Sequence, residues 1–282
     1  MDIKNIAVIG GGTMGNGIAH VFALYNFKVH LVEMNNQLIE KALLTIRGNL
    51  DRQVKKEIIS EERKSEILKN IITTLGVENI PTNTDLVIEA IYENKDAKLN
   101  IFKSLDSKLQ PNCIFASNTS SISITELSGK NRPDKFIGMH FMNPVPVMKL
   151  VEIIRGYSTS DETFQTIKNL SLQLEKTPVE VFDYPGFISN RILMPMINEA
   201  IFSLMEGVAS AEDIDVVMKL GMNHPMGPLT LADFIGLDVC LAIMDVLYTG
   251  FNDSKYRPCP LLKKMVAAGK LGRKTKEGFF KY

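Results

Sequence analysis

The sequence has no excess of charge of either sign. Thirty-two basic residues balance 32 acidic residues over 282 positions, and neither sign forms a long run. Nucleic acids and anionic membranes attract clusters of lysine and arginine, so this balance argues against both as partners. We expect a protein that binds neither nucleic acid nor a membrane.

Cysteine is also scarce. The three cysteines, Cys113, Cys240 and Cys259, form no C-x-x-C pair, which argues against a disulfide framework and a structural zinc site. We expect no metal. The first residues lead straight into a strand-like run, without the basic segment and longer apolar stretch of a secretory signal. These features favour a cytoplasmic location.

Long uninterrupted apolar runs are absent as well. The two most apolar stretches, 192–205 and 229–247, contain acidic or amide side chains. Neither supplies the roughly 18 consecutive apolar residues of a membrane helix, so both are predicted to be buried helices. Their apolar content exceeds what a small helical domain can hide, which favours a homodimer or a higher homo-oligomer.

What the sequence does contain is a βαβ pattern, in which short apolar runs alternate with longer helical patterns. The predicted strands are 3–9, 29–32, 86–89, 114–116, 136–140, 150–154 and 179–181. A charged segment at about 36–70 has helical spacing, with a second helix starting at Ser60, and predicts a helical pair that projects from the sheet.

From about residue 185 the pattern is helical only. Ser210 is predicted to cap a helix that has acidic residues in its first turn, and Gly221 is predicted to stop it. The predicted fold class is therefore α/β, a Rossmann-type doubly wound sheet with a C-terminal all-α dimerisation domain. The predicted domains are 1–184, which would bind NAD, and 185–282.

A glycine-rich turn follows the first predicted strand. Gly10, Gly12 and Gly15 match G-x-G-x-x-G directly before a helical run, and the motif also includes Thr13 and Met14. In such a turn the first glycine permits the tight bend, the second lets backbone approach a pyrophosphate, and the third allows close helix packing. The helix N-terminus would face the anion.

Glu33 ends the second predicted strand, near the expected spacing of about 20 residues from the glycines. A carboxylate there accepts hydrogen bonds from the adenosine ribose and repels a 2′-phosphate, which favours NAD over NADP. The alternative is a glycine-rich turn beside an incidental surface glutamate. Because strand, glycines, helix and acid are all in register, we predict an NAD site.

Only four histidines are present, at 20, 30, 140 and 224. His140 ends a predicted strand, where ligands of a doubly wound sheet collect, and Glu152 on the following strand could orient it as a general base. Asn143, in a proline-set turn, could face a ligand. A purely structural role for His140 stays open on spacing alone, and it is favoured for the other three histidines.

The chain resembles the short-chain 3-hydroxyacyl-CoA dehydrogenases, and within them the bacterial 3-hydroxybutyryl-CoA dehydrogenases, over essentially its whole length. The resemblance rests on five segments: Ala116 to Ser121, Gly138 to Pro144, Pro185 to Arg191, His224 to Pro228 and Gly272 to Phe279. It implies reversible NAD-dependent oxidation of a 3-hydroxyacyl-CoA, with His140 as general acid or base and Glu152 as its partner.

The resemblance also implies roles for other residues. Ser120 and Asn190 would position the substrate, while Asn49 and Lys56 would contact the coenzyme A arm. Glu93, Lys98 and Lys274 would contact the cofactor, while an interpretation as exposed helix charges stays open. Two alternatives stay open: a dehydrogenase of a different hydroxy acid or a dicarboxylic 3-hydroxyacyl-CoA, and a catalytically silent structural relative.

Overall fold

A computed structural model describes residues 3–130 and 132–282 of the chain. It divides into two compact units, Met1–Asp183 and Tyr184–Tyr282. No helix within the described ranges combines the length and the apolar character that crossing a membrane requires.

The first unit is built on one sheet, for which eight strands are described, in the order β3-β2-β1-β4-β5-β6-β7-β8. The strands are Asn5–Ile9 (β1), Lys28–Glu33 (β2), Ile71–Leu75 (β3), Leu86–Glu89 (β4), Ile114–Ser117 (β5), Phe136–Phe141 (β6), Leu150–Arg155 (β7) and Thr177–Phe182 (β8). Neighbouring strands pair in parallel except β6 and β7, which are antiparallel. This architecture confirms the predicted Rossmann-type fold class.

Six α-helices of this unit are described: Thr13–Leu24 (α1), Asn36–Lys55 (α2), Glu61–Lys69 (α3), Lys95–Asp106 (α4), Ile124–Ser128 (α5) and Asp161–Gln173 (α6). The central strands consist largely of apolar residues, as strands covered on both faces do, and every residue of β4, β5 and β6 is buried. Burying one such side chain contributes about 1.5–3 kcal/mol, so this apolar centre dominates the stability of the unit.

The helical pair at 36–70 is present as α2 and α3. Ser60 caps α3 by accepting a hydrogen bond from the backbone N–H of Arg63, which confirms the predicted helix start. One face of this pair packs against the main core. Ala42, Ile46 and Ile67 join the main core together with residues of α1 and the strands, because their apolar spacing needs a partner surface.

The sequence interpretation missed β3, which pairs with β2 at the edge of the sheet. Its residues Ile71 and Thr74 are buried, whereas Ile72, Thr73 and Leu75 are exposed. An edge strand is covered on fewer sides than a central one, so it lacks the continuous apolar run by which the other strands were recognised.

The second unit is helical, with α7 (Ser189–Met205), α8 (Ala211–Val216), α9 (Pro228–Ile235), α10 (Leu237–Phe251) and α11 (Pro260–Ala267). Ser210 caps α8 by accepting from the N–H of Asp213, as predicted, and a π-turn then runs to Gly221. Asp215 caps α9 by accepting from the N–H groups of Leu229 and Thr230 at 2.8 and 2.9 Å.

Candidate active site

The candidate site residues of the first unit collect at one edge of the sheet. Gly10 follows β1, Ser120 follows β5 and His140 lies near the end of β6. Because β1, β4, β5 and β6 are parallel, their carboxyl ends meet at the same edge. The chain order reverses between β1 and β4, which is where a doubly wound sheet opens a crevice for ligands.

His140 and Glu152 form a buried pair within this edge. They lie directly opposite each other in the antiparallel β6–β7 ladder, so their side chains share one face of the sheet. The His140 Nδ1 atom is 2.7 Å from Glu152 Oε2, and the two residues are 7% and 2% exposed. The structure thus brings together the two residues that the sequence predicts as base and orienter.

Ser120, in the segment that follows β5, completes the group. Its Oγ lies 3.1 Å from His140 Nε2. The Glu152 carboxylate accepts a hydrogen bond, which assigns the proton to Nδ1 and leaves the lone pair of Nε2 for Ser120 to donate to. The imidazole is therefore oriented with its basic nitrogen toward the Ser120 hydroxyl.

The glycine-rich turn is held tightly against the segment after β4. Gly10 has a φ of +94°, and a Cβ at this position would lie 2.8 Å from the carbonyl oxygen of Ala90. A Cβ at Gly15 would collide with the carbonyl oxygen of Gly10. These two glycines are required by the protein's own packing.

Gly12 differs from them, and its surroundings fit a bound dinucleotide. Within the described residues, no atom lies within 4 Å of the Cβ that a larger residue would carry there. Gly12 has no side chain to cap α1, so the first N–H groups of the helix remain for an anion. Gly12 and Thr13 are exposed and Met14 is partly exposed, which leaves the turn accessible to a pyrophosphate.

Glu33 lies beside this turn at the end of β2. Its Oε1 accepts a hydrogen bond from the N–H of Gly11 at 2.6 Å, and its Oε2 accepts from the N–H of Met34 at 3.2 Å. The carboxylate is half-buried, so it is held in one orientation while it borders open space. That arrangement fits an acceptor for ribose hydroxyls.

A cavity of about 370 Å³ borders both the glycine-rich turn and the proline-set turn. Its lining includes Gly12, Thr13, Glu33, Asn49 and Asn143. A second cavity, of about 730 Å³, shares Asn49, Pro144 and Pro146 with the first and extends toward the basic side chains Arg52, Lys56 and Arg63. A long anionic ligand could therefore lie along α2 with its end beside the turn.

Asn190 and Lys274 belong to the second unit. Asn190 is in the first turn of α7 and is buried. Lys274 is exposed and forms an ion pair with Asp238 at the start of α10. Their roles toward substrate and cofactor stay predictions from the family resemblance.

Glu93 and Lys98 are not simple surface charges. Lys98 is fully buried and its ammonium contacts both Glu89 and Glu93, so the exposed-charge interpretation is wrong for Lys98. Burial by itself would raise the pKa of Glu93. Lys98, the Thr119 hydroxyl and the backbone N–H of Ser120 outweigh that effect and hold the pKa below its usual value.

Two residues of the site were missed in the sequence. Glu89, at the carboxyl end of β4, is fully buried, and Asn118 accepts a hydrogen bond from the N–H of Phe141 through its side-chain oxygen at 2.9 Å. A charged residue closing an apolar strand at the ligand edge was the available signal for Glu89. Within the described ranges, His, Cys, Asp and Glu side chains form no group of three or more that could hold a metal ion.

A doubly wound sheet with a glycine-rich turn and a buried histidine–carboxylate pair at its ligand edge defines a nucleotide-dependent dehydrogenase. The family model for the NAD binding domain of 3-hydroxyacyl-CoA dehydrogenase matches residues 5–184, and the model for the C-terminal domain matches residues 186–282. The chain therefore belongs to the 3-hydroxyacyl-CoA dehydrogenase family. This membership confirms the resemblance and the predicted NAD cofactor.

Individual relatives agree over the full length. The chain is 54% identical to the 3-hydroxybutyryl-CoA dehydrogenase of Bradyrhizobium diazoefficiens, covering 99% of this chain and 96% of that protein. It is 52% identical to the enzyme of the same name from Clostridioides difficile, covering 98% and 99%. The crystal structure of (S)-3-hydroxybutyryl-CoA dehydrogenase PaaH1 from Ralstonia eutropha superposes with a TM-score of 0.97 at 51% identity, covering 100% and 99%.

Proposed function

We propose that this protein interconverts (S)-3-hydroxybutyryl-CoA and acetoacetyl-CoA with NAD as the hydride carrier. The observation that supports the chemistry best is the buried His140–Glu152 pair, with the Ser120 hydroxyl 3.1 Å from the second ring nitrogen, Nε2. The names of the relatives support the short acyl chain and the (S) configuration. A catalytically silent role is disfavoured, because a silent protein needs no basic nitrogen held at a ligand edge.

In the oxidative direction, His140 Nε2 takes the proton of the substrate 3-hydroxyl group. Glu152 keeps the Nδ1 proton in place and stabilises the imidazolium that forms, as carboxylate partners of catalytic histidines do. When substrate is bound, the Ser120 hydroxyl donates to this substrate oxygen instead of to Nε2, which leaves the Nε2 lone pair for the substrate proton. In the reductive direction, His140 returns the proton to the oxygen at C3.

NAD bound in this site would supply the acceptor for the hydride from C3 of the substrate. The turn containing Gly10, Gly12, Thr13, Met14 and Gly15 would hold its pyrophosphate by backbone N–H groups, and Glu33 would accept hydrogen bonds from its adenosine ribose. The expected cofactor contacts of Glu93, Lys98 and Lys274 stay predictions from the resemblance.

The coenzyme A arm lies in the larger cavity beside α2. Lys56 and Arg52 supply positive charge where the arm carries phosphates, and Asn49 borders both cavities. Asn143 faces the cofactor cavity from the proline-set turn and contacts the acyl group. A contact of Asn190 with the thioester end stays a prediction from the family resemblance.

The exchange of His140 for glutamine tests the reaction. The His140→Gln variant should lose about 10²-fold or more in turnover, the usual contribution of a general acid or base. Its affinity for NADH should stay nearly unchanged, because the glycine-rich turn and Glu33 are not altered. Turnover is measured as oxidation of NADH with acetoacetyl-CoA, and affinity by NADH fluorescence.

The control is His30→Asn, since His30 lies in β2, outside the proposed catalytic group, and its Nδ1 atom is 2.9 Å from the Thr74 hydroxyl. This variant should keep parental turnover. Full activity of His140→Gln would remove His140 from the mechanism. A parent protein that prefers free acetoacetate or a dicarboxylic acyl-CoA would favour the alternative substrates.

We also propose that the protein is a homodimer that works in the cytoplasm. The helical unit exposes Val217, Leu220 and Met222, which are 57%, 81% and 61% exposed, and a second copy would cover them. The three cysteines are free and buried, and burial raises the pKa of Cys113 and Cys240 to about 12. Thiols that need no disulfide partner suit a reducing compartment.

A further inference from the structure

A cluster of three charged side chains contacts the turn that contains Ser120 and has no part in the proposed proton transfer. It consists of Glu89 at the end of β4, Glu93 in the following loop and Lys98 in α4, and we refer to it as the Glu–Lys–Glu cluster. Glu89 and Lys98 are fully buried, whereas the Glu93 side chain is 39% exposed.

The Lys98 ammonium is enclosed by the two carboxylates. Its Nζ is 2.7 and 2.9 Å from the two oxygens of Glu89 and 3.2 Å from Glu93 Oε2. An ammonium has three protons, and three acceptor oxygens surround this one. The side chain is 1% exposed, so its charge is neutralised by the protein's own carboxylates.

Glu89 ties this lysine to the strand ends. Its Oε1 accepts from the N–H of Ile91 at 2.7 Å, and its Oε2 accepts from the Ser117 hydroxyl at 2.6 Å. A buried carboxylate is costly unless it is paired and hydrogen-bonded, and here both oxygens have two donors. Glu89 therefore fixes the position of Lys98 relative to both β4 and β5.

Glu93 connects Lys98 to the turn that contains Ser120. Its Oε2 faces Lys98, while its Oε1 accepts from the Thr119 hydroxyl at 2.5 Å and from the N–H groups of Ser120 and Ser121 at 3.0 and 3.2 Å. The Ser120 hydroxyl in turn meets His140 Nε2. A continuous series of contacts thus runs from the buried ion pair to the reacting nitrogen.

We propose that Glu89 and Lys98 are positioning residues that act through Glu93 to hold the 119–121 turn, and with it the Ser120 hydroxyl, in register with His140. The inference rests on the proposed function for the catalytic meaning of Ser120. It gives Lys98 a role that needs no contact with the cofactor.

Two variants break the series without leaving a buried charge alone. Glu93→Gln keeps the side-chain shape but loses the charge that faces Lys98. Glu89→Gln/Lys98→Met replaces the ion pair by neutral groups of similar size, which proteins tolerate better than the removal of one partner. Lys95→Met is the matched control in the same helix, because Lys95 is exposed and its ion pair with Glu126 lies at the surface.

Amide hydrogen exchange of the 117–123 segment tests the positioning independently of activity. The amides of this segment should exchange about tenfold faster in both variants than in the parent, because the coupling free energies between contacting residues are large enough for such a change. In Lys95→Met they should exchange at the parental rate. Unchanged exchange in both variants would overturn the inference. Faster exchange in a protein that is inactive toward acetoacetyl-CoA would support the positioning while the proposed function fails.

A double-mutant cycle with Ser120→Ala then tests the catalytic consequence. Each variant should lower kcat about tenfold in the parent background but less than twofold when Ser120 is already alanine, since the loss acts through that hydroxyl. The inference is overturned if the two losses in kcat multiply in full, or if the only change is a higher KM for NADH. Either result would favour a direct cofactor contact instead.

Discussion

His20 in α1 is a buried histidine outside the proposed mechanism. It is 0% exposed, and neither ring nitrogen has a hydrogen-bond partner within the described part of the chain. Burial lowers its pKa from 6.5 to about 4. The folded state therefore binds this proton less readily than the unfolded state, so stability is full above about pH 6.5 and falls as the pH drops toward 4.

We expect His20→Leu to relieve this loss. Between pH 7.5 and pH 5, burial of the neutral His20 lowers the free energy of unfolding of the parent by about 2 kcal/mol. The Tm advantage of the variant over the parent should therefore be several degrees larger at pH 5 than at pH 7.5. His20→Gln is the control, because it removes the titration but keeps a polar group in the core. Thermal unfolding at the two pH values measures both, and an equal Tm difference at both would contradict the assignment.

Glu33 should decide the choice between the two nicotinamide cofactors. Glu33→Gln keeps an acceptor for the Gly11 N–H but removes the charge that repels a 2′-phosphate, so it should mainly relax discrimination against NADPH. Glu33→Ala also removes the ribose acceptor and should weaken NADH binding by about tenfold or more, the scale of a hydrogen bond to a charged group. Titrations with NADH and NADPH measure both effects.

A neighbouring carboxylate provides the control for this prediction. Glu40 is exposed on α2, so Glu40→Gln changes the local charge by the same amount without touching the turn. If Glu40→Gln relaxes the discrimination against NADPH as much as Glu33→Gln does, the general electrostatic field of the surface rather than the ribose contact is responsible.

The contact between His140 and Glu152 was predictable from sequence because both residues had a local signal. His140 ends an apolar strand and Glu152 lies in the next one, so their contact needed only adjacent strands. The role of Glu89 was not predictable in the same way. Its partner Lys98 occupies a helical position that looks exposed in a charged segment, and only the folded chain shows that its ammonium is enclosed.

At the scale of elements, the direction of β7 was open to prediction. A parallel crossover needs about a dozen residues or more, and the segment 142–149 between β6 and β7 is shorter than that. The antiparallel pairing that sets His140 opposite Glu152 follows from this length. The packing of α2 and α3 against α1 could not be read in the same way, because their apolar spacing predicts a buried face but not its partner.

The proline-set turn is held by a lysine from the α6–β8 connection. Lys176 is 6% exposed, and its Nζ donates to the carbonyl oxygens of Val145 and Met148 at 2.6 and 2.7 Å. Burial lowers the pKa of this ammonium, with a smaller contribution from Lys149. Lys176 thereby fixes the segment that presents Asn143 to the cavity.

Lys176→Met should loosen that turn. The change leaves two carbonyl groups without their donor, which costs about 1–3 kcal/mol for each group that stays buried. We expect a lower Tm and a higher KM for acetoacetyl-CoA, with a smaller effect on NADH affinity. Lys149→Met, which alters an exposed lysine next to the same turn, should change neither; equal effects of the two variants would assign the change to net charge.

At the scale of the whole molecule, the helical unit leaves apolar surface uncovered around its π-turn. The π-turn patch consists of Val216, Val217, Leu220 and Met222, which are 49%, 57%, 81% and 61% exposed. An apolar cavity of about 450 Å³ adjoins it, bordered by Val217, Met218 and Pro228. A contiguous apolar surface of this kind is characteristic of an interface between protein chains.

Leu220→Glu should weaken the proposed dimer. A carboxylate at the most exposed position of the π-turn patch would be buried without a partner in the interface, a penalty of several kcal/mol for each copy. The parent should sediment at twice the chain mass of 31.5 kDa, and the variant should shift toward the monomer at micromolar concentration. Tyr157→Glu, at a 93% exposed position of the sheet unit, should sediment like the parent. A Leu220→Glu variant that stays fully dimeric would place the interface on another surface.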